Sequence, residues 1–293
     1  MIFIKTIILY YYNLDVKEII KEEKDKIIFI SDNNEKYIFE KIEVNNVKIN
    51  SCVNNNKLFH TPQFNKNRSI ISEWNRENYA LLKINIKDED RNITLNDLVM
   101  LSSIRVPFNI ENKEYYYQLW SKKLIFISKF LSDKYEKEYY DYSYYLYLGK
   151  NALKILKTID FSNITFGLCF NRFEKNNTLY LLYDPFKVKI GPVVNSFSEF
   201  IKYTLFKKEK EESIDFILSL EFTKDDLLFL ISRLLFPTYY YDLFLHKKFE
   251  NQYYTIVNNQ RRLFEIIKKI IKKIKKRYII KDISMIEQLI NQL

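Results

Sequence analysis

The sequence predicts an α+β protein of two lobes. A small β-rich N-terminal lobe covers residues 1–112, and a larger, mostly helical C-terminal lobe covers residues 113–293. Three observations predict this. Over the first hundred residues, short β-rich runs alternate with turn chemistry. Near residue 115 the apolar period changes to i, i+3, i+4. Inside the helical part, Thr165–Phe173 and Leu179–Tyr183 return to strand-like runs around the polar stretch Glu174–Thr178.

The elements follow in order. Met1–Tyr12 is apolar with one lysine, Lys5, and ends in three tyrosines with no small-residue cleavage site. It reads as a buried first helix or strand rather than a signal peptide. Lys26–Ser31 and Lys36–Ile42 form a hairpin around Asp32-Asn33-Asn34. Val44–Phe59 is rich in asparagine and ambiguous. Ser69–Ser72 and Tyr79–Ile86 form a second hairpin around Glu73–Asn78. Asp90–Leu101 contains a short helix capped by Thr94. Helices are expected over Tyr116–Tyr135, Tyr144–Leu156, Phe197–Phe206, Asp225–Phe236 (stopped by Pro237) and Gln260–Tyr278.

Composition removes many functions. The chain has 293 residues and three glycines, so neither a GxGxxG loop nor a GxxxxGK[ST] loop can be built. Two cysteines and two histidines argue against a disulfide framework, a zinc site or a Ser-His-Asp hydrolase. His60 reads as a structural hydrogen-bonding residue, Trp74 and Trp120 as packing residues, and Cys169 as a small buried hydrophobe. With no secretion signal, the cysteines fit a reducing cytoplasm. The net charge is +10, and Arg261–Arg277 holds nine Lys/Arg against one Glu, so the positive charge is local to one segment.

Several strings carry a resemblance. Residues 144–152 (YYLYLGKNA) are similar to the helix before the catalytic loop of the spore-coat-associated, aminoglycoside-phosphotransferase-related branch of protein-kinase-like proteins. Gly167–Phe173 (GLCFNRF) resembles that branch's altered catalytic loop. Asp184-Pro185 and Val194–Lys202 resemble its metal loop and following helix. Ser232–Asp242 (SRLLFPTYYYD) resembles its late Arg-Leu-x-x-Pro-x-x-Tyr-Phe motif. The resemblance spans roughly residues 25 to 250 and implies a bilobal protein-kinase-like fold.

Phosphoryl transfer on such a fold needs a strand lysine held by a glutamate, a base for the substrate hydroxyl, and an Asn and an Asp for magnesium. The resemblance places Lys41 as the strand lysine, Asn171 at the base, and Asn176 and Asp184 as metal and nucleotide ligands. Lys41 also reads as a solvated lysine, and Asn176 and Asp184 also read as turn residues. No acidic residue lies between Asn45 and Phe59 to hold Lys41, and Glu40 and Glu43 point elsewhere on a strand. Asn171 is an amide and no base at neutral pH. Arg172 adds a permanent positive charge there. Asn195-Ser196 are neutral where the family carries an acid, and Glu199 reads as a helix-surface residue.

Three functions remain open. The first is a catalytically degraded pseudokinase acting as a binding or scaffold module for a protein partner, with a cytoplasmic or spore-coat location implied by the resemblance. It needs no cofactor. The second is a small-molecule phosphotransferase using ATP and magnesium through Lys41, Asn176 and Asp184. The third is a binder of anionic membrane or nucleic acid through Lys268, Lys269, Lys272, Lys273 and Lys276, whose apolar neighbours follow helical spacing. The bland reading of that helix is a docked element with a solvated basic face.

Overall fold

The computed structural model describes residues 2–23, 25–42, 57–85, 91–104, 113–134, 142–170, 173, 182–207, 214–246 and 249–278. The chain divides into two compact units, Met1–Ile93 with Asn176–Lys189 and Thr94–Lys175 with Ile190–Leu293.

The first unit holds one helix and one sheet. Helix α1 (Ile2–Tyr12) precedes strands β1 (Val16–Glu23), β2 (Lys26–Ser31), β3 (Lys36–Lys41), β4 (Thr61–Pro62), β5 (Ser72–Trp74) and β6 (Glu77–Lys83). The spatial order is β1-β2-β3-β6-β4, with β5 pairing β6, and every pairing is antiparallel. The β2–β3 hairpin forms as the turn chemistry predicts. The β5–β6 hairpin is tighter than the six-residue turn predicted: Trp74 pairs Glu77, so Asn75 and Arg76 alone make the turn. Both have φ near +60° (52° and 65°), as a type I′ turn requires. Strand β1, with its Lys and Glu-rich exposed face, carries too little apolar alternation to be read in advance.

The sheet has two differently dressed faces. Ile27, Phe29, Tyr37, Phe39 and Leu81 pack with Ile7 and Ile8 of α1. The other face carries Ile28, Ile38, Ile42, Ala80 and Leu82, joined by Phe186. Successive strand residues point to opposite faces, so even-numbered residues of β2 and β3 share the face of Phe186 and odd-numbered ones the face of α1.

The second unit is helical with a two-stranded ribbon. Its helices are α2 (Leu95–Ser102), α3 (Lys113–Lys134), α4 (Tyr142–Thr158), α5 (Val194–Lys207), α6 (Ile214–Ser219), α7 (Lys224–Leu235), α8 (Thr238–His246) and α9 (Phe249–Arg277). Thr94 caps α2 as expected, its N–H donating to Asp97 Oδ2 at 2.8 Å. Strand β7 (Phe166–Phe170) pairs with β8 (Val188–Pro192). The expected partner was Leu179–Tyr183. Of that stretch, residues 179–181 lie outside the described residues and Leu182-Tyr183 are not in a strand. The middle of the predicted ambiguous stretch, residues 44–56, also lies outside them.

Helix α7 is the hub. It packs on α4, α5 and α9, and ten of its twelve residues, Asp225 to Leu235 except Arg233, are buried. Asp226 fixes its start: its carboxylate accepts from the Thr165 N–H at 2.9 Å and the Thr165 hydroxyl at 2.7 Å, besides closing the capping box with Thr223. Gly149 on α4 gives Tyr241 room. A Cβ there would lie 2.6 Å from the Tyr241 hydroxyl oxygen and 2.7 Å from Leu124 Cδ1. Tyr241 uses that space to donate to the Tyr145 carbonyl at 2.9 Å.

Candidate functional site

Asp184 is the predicted site residue around which the structure gathers charge. It is fully buried in the first unit, in the turn before Phe186. Its Oδ1 accepts from the Phe186 N–H at 2.8 Å, and its carbonyl accepts from the Lys187 N–H at 3.1 Å. The Asp-Pro turn thus both shapes the backbone and buries a carboxyl. Phe186, two residues on, anchors the turn in the core under the sheet.

The residue that meets Asp184 from the sheet is Glu40. It is 2% exposed on β3, on the Ile38–Ile42 face. Its register partner on β2 is Lys26, whose Nζ lies 3.7 Å from Glu40 Oε2. Lys187 Nζ approaches the same oxygen at 3.6 Å. Two carboxyls and two ammonium groups therefore close on one another.

The two acids divide the charge. Burial and the negative charge of Glu40 push Asp184 well above the usual carboxylate range. Burial also acts to raise Glu40, but the hydrogen bond from Asp184 and the charges of Lys26 and Lys187 outweigh it and hold Glu40 below its ordinary value. Asp184 therefore keeps the proton and Glu40 the charge. Glu40 Oε1 and Asp184 Oδ2 are buried and have no other hydrogen-bond partner among the described residues.

Lys41 is not part of this group. One residue from Glu40, it points to the opposite face, where its register partner is Tyr79. There it is exposed and pairs with Glu77 at 2.6 Å, which raises its pKa. The structure thus does not bring Lys41 to Asp184. Asn171, Arg172 and Asn176 lie outside the described residues. Lys26 and Lys187 escaped the sequence reading, and Glu40 was read only as pointing away from Lys41, although one further signal was available. Ile38 and Ile42 both face the core, and the period of two puts Glu40 between them.

The predicted loop and helix residues of the second unit are packing groups. Cys169 is buried in β7. Ser196 accepts from the Phe170 N–H at 2.8 Å, and Asn195 donates to the Tyr116 hydroxyl at 2.9 Å. Glu199 is 3% exposed and pairs with Arg233 at 2.5 Å, so the helix-surface reading is corrected: its carboxylate is buried against the arginine of the late motif. Beside it, Lys202 is buried, and its Nζ donates to the Phe236 carbonyl at 2.7 Å. Burial lowers its pKa to about 7. Trp120 stacks on Phe236 and Phe229, as a packing tryptophan should. In the first unit, buried His60 ties its backbone N–H to the Tyr183 carbonyl at 3.0 Å.

No family model matches the chain, and no curated protein sequence does. Solved structures do. An aminoglycoside phosphotransferase from Alicyclobacillus acidocaldarius superposes with a TM-score of 0.54 at 10% identity, over 95% of this chain and 93% of that one. A spectinomycin phosphotransferase in complex with ADP and spectinomycin superposes with a TM-score of 0.52 at 13% identity, over 99% and 98%. Its AMP-bound complex gives 0.53 at 10% identity, over 94% and 98%. The chain has the kinase-like fold of the aminoglycoside phosphotransferases. A β-sheet N-terminal region and a helical C-terminal region, the α+β class expected, are both part of that fold. No described helix is long and apolar enough to cross a membrane.

Of the two residues the sequence reading gives magnesium, Asp184 is described and Asn176 lies outside the described residues. Magnesium takes charged carboxylate oxygen. Asp184 is buried beside Glu40, and the Lys26 and Lys187 ammonium groups lie beside the Glu40 carboxylate. Among the described residues no group of three or more His, Cys, Asp or Glu side chains could hold a metal.

Proposed function

We propose that this chain is a catalytically silent member of the kinase-like phosphotransferase fold that works as a binding or scaffold module. The observation that carries the reading is Glu40. The core-facing position of β3 beside Asp184 bears a carboxylate, and Lys41, the strand lysine the resemblance names, faces the other way. A phosphate-bearing ligand brought to Asp184 would meet the negative charge of Glu40, with Lys26 and Lys187 already engaged by that charge. The amide at Asn171, where the fold's enzymes need a base, supports the same reading from sequence. The spore-coat-associated branch, which residues 144–152 and 232–242 resemble, is the kin from which the site has drifted in this reading.

The test is thermal unfolding with ATP, with and without magnesium. A ligand at 100 times its dissociation constant adds about 2.7 kcal/mol of stability. The expected result is no magnesium-dependent rise in Tm for a cooperatively folded protein. A rise that depends on magnesium and is lost in Lys26→Met would overturn the proposal in favour of a phosphotransferase whose phosphate-holding lysine comes from β2 and is held by Glu40.

A further inference from the structure

Helix α9 is sorted into two faces. From Leu263 to Ile274 every apolar residue is buried, and the helix packs on α5, α6, α7 and α8. Between Arg261 and Arg277 every exposed position is charged, and all but Glu265 are basic. Seventeen residues at 1.5 Å each make a ridge of roughly 25 Å. Lys273 is the exception among the lysines: half-buried, it donates to the Leu218 carbonyl and ties α9 to α6. Lys268 pairs with Glu265 at 2.9 Å, an exposed i,i+3 contact that leaves the ridge strongly positive.

We propose that this ridge binds the phosphate backbone of double-stranded nucleic acid without reading its sequence. The structure favours this over a lipid surface. An interfacial helix holds a membrane by inserting its apolar face, and that face of α9 is consumed by the core. What remains is a convex line of cations. A helix about 10–12 Å across matches a duplex major groove about 12 Å wide, whose two walls are phosphate rows. A flat anionic bilayer touches such a ridge only along its crest. Arg261 and Arg262 at one end and Arg277 at the other suit bidentate phosphate contact. The exposed stretch offers only Lys and Arg as donors, so it positions and does not specify.

The experiment is fluorescence anisotropy of a labelled 20-base-pair duplex with the full chain between 50 and 200 mM NaCl. Vesicles of phosphatidylserine and phosphatidylcholine are run in parallel. The variant is Lys268→Gln, Lys269→Gln, Lys272→Gln and Lys276→Gln together, which spares Lys273. Its melting temperature checks the fold, and the corresponding four-fold Lys→Arg variant checks that charge is what matters. Wild type should bind the duplex with a steep salt dependence. The slope of log affinity against log salt should shrink by about 3–4 in the Gln variant, at roughly 0.9 for each phosphate no longer neutralised. The Arg variant should bind as wild type does. Absence of duplex binding, duplex binding that the Gln variant retains, or binding confined to the vesicles would each overturn the proposal.

Discussion

Each unit buries a cluster of charge. In the first, Lys26 and Lys187 flank Glu40, which lies beside Asp184. In the second, Glu199 pairs with Arg233 while Lys202 lies buried beside them, bonded to a carbonyl. Both clusters face the same desolvation penalty and relieve it in opposite directions. In the first, an acid keeps its proton. In the second, burial lowers the pKa of a base to about 7. The difference follows from the partners. Both cations approach Glu40, Lys26 from a buried position and Lys187 from an exposed one, so Glu40 holds its charge and Asp184 is the acid that burial neutralises. Glu199 is paired with Arg233, so Lys202 is the base whose charge burial opposes. In each cluster burial acts hardest on the group with less opposite charge beside it.

The largest effect should come from breaking the first cluster. Glu40→Ala removes the carboxylate that Lys26 faces in the interior. Removing one partner of a buried pair costs about 3–5 kcal/mol, and urea unfolding should show a drop in stability of that order. Glu40→Gln keeps shape and one hydrogen-bond acceptor and should cost less. Equal costs for Ala and Gln would mean that the charge, which both remove, and not the packing holds the site.

Breaking the second cluster should have the opposite sign. Lys202→Met removes the surplus base and replaces it with an apolar side chain in an interior lined by Tyr145, Phe206 and Leu263. The hydrogen bond to the Phe236 carbonyl disappears, at a net cost of about 1 kcal/mol. Replacing buried charge by packed apolar groups stabilises by about 1–4 kcal/mol, so a net gain is expected near pH 6. The gain should depend on pH. The folded pKa of Lys202 is lowered to about 7 from an ordinary 10.5. Wild type therefore gains stability as pH rises from about 7 towards 10.5, because the unfolded chain holds the extra proton across that window. The advantage of Lys202→Met should shrink over the same window. An advantage that stays constant from pH 6 to pH 10 would show that Lys202 does not titrate there.

The sequence showed different amounts of the two units. Helices α3, α4, α5 and α7 were legible because each buries a face of repeated apolar residues, and the α2 start was legible because Thr94 and Asp97 are a chemical signature. The clusters were less so. Glu199 sits in a helix where one buried carboxylate looks like any surface glutamate, and only the distant Arg233 makes its burial tolerable. At Glu40 the strand period pointed inward, yet the neighbouring lysine drew the chemical reading. Lys26 and Lys187 became visible only with the β2–β3 register and the fold of the Asp184 turn. Local pattern reports burial of apolar groups, whereas buried charge depends on partners 14 to 147 residues away.

The smallest expected effect separates Lys41 from Lys26. Both sit near the ends of adjacent strands, and their surroundings alone differ. Lys41 is 40% exposed with Glu77 at 42%, a pair that solvent screens. Lys26 is 10% exposed beside a carboxylate that is 2% exposed. Lys41→Met should leave Tm unchanged within error, even though its ion pair, at 2.6 Å, is the shorter of the two. Lys26→Met, at a nominal separation of 3.7 Å, should lower stability by about 1–3 kcal/mol, the cost of a buried charged group left with fewer partners. Parallel melts of the two variants decide the matter. If Lys41→Met proved the more damaging, distance would outrank burial in this sheet, and the assignment of Glu40, in place of Lys41, as the residue that sets the chemistry around Asp184 would fall with it.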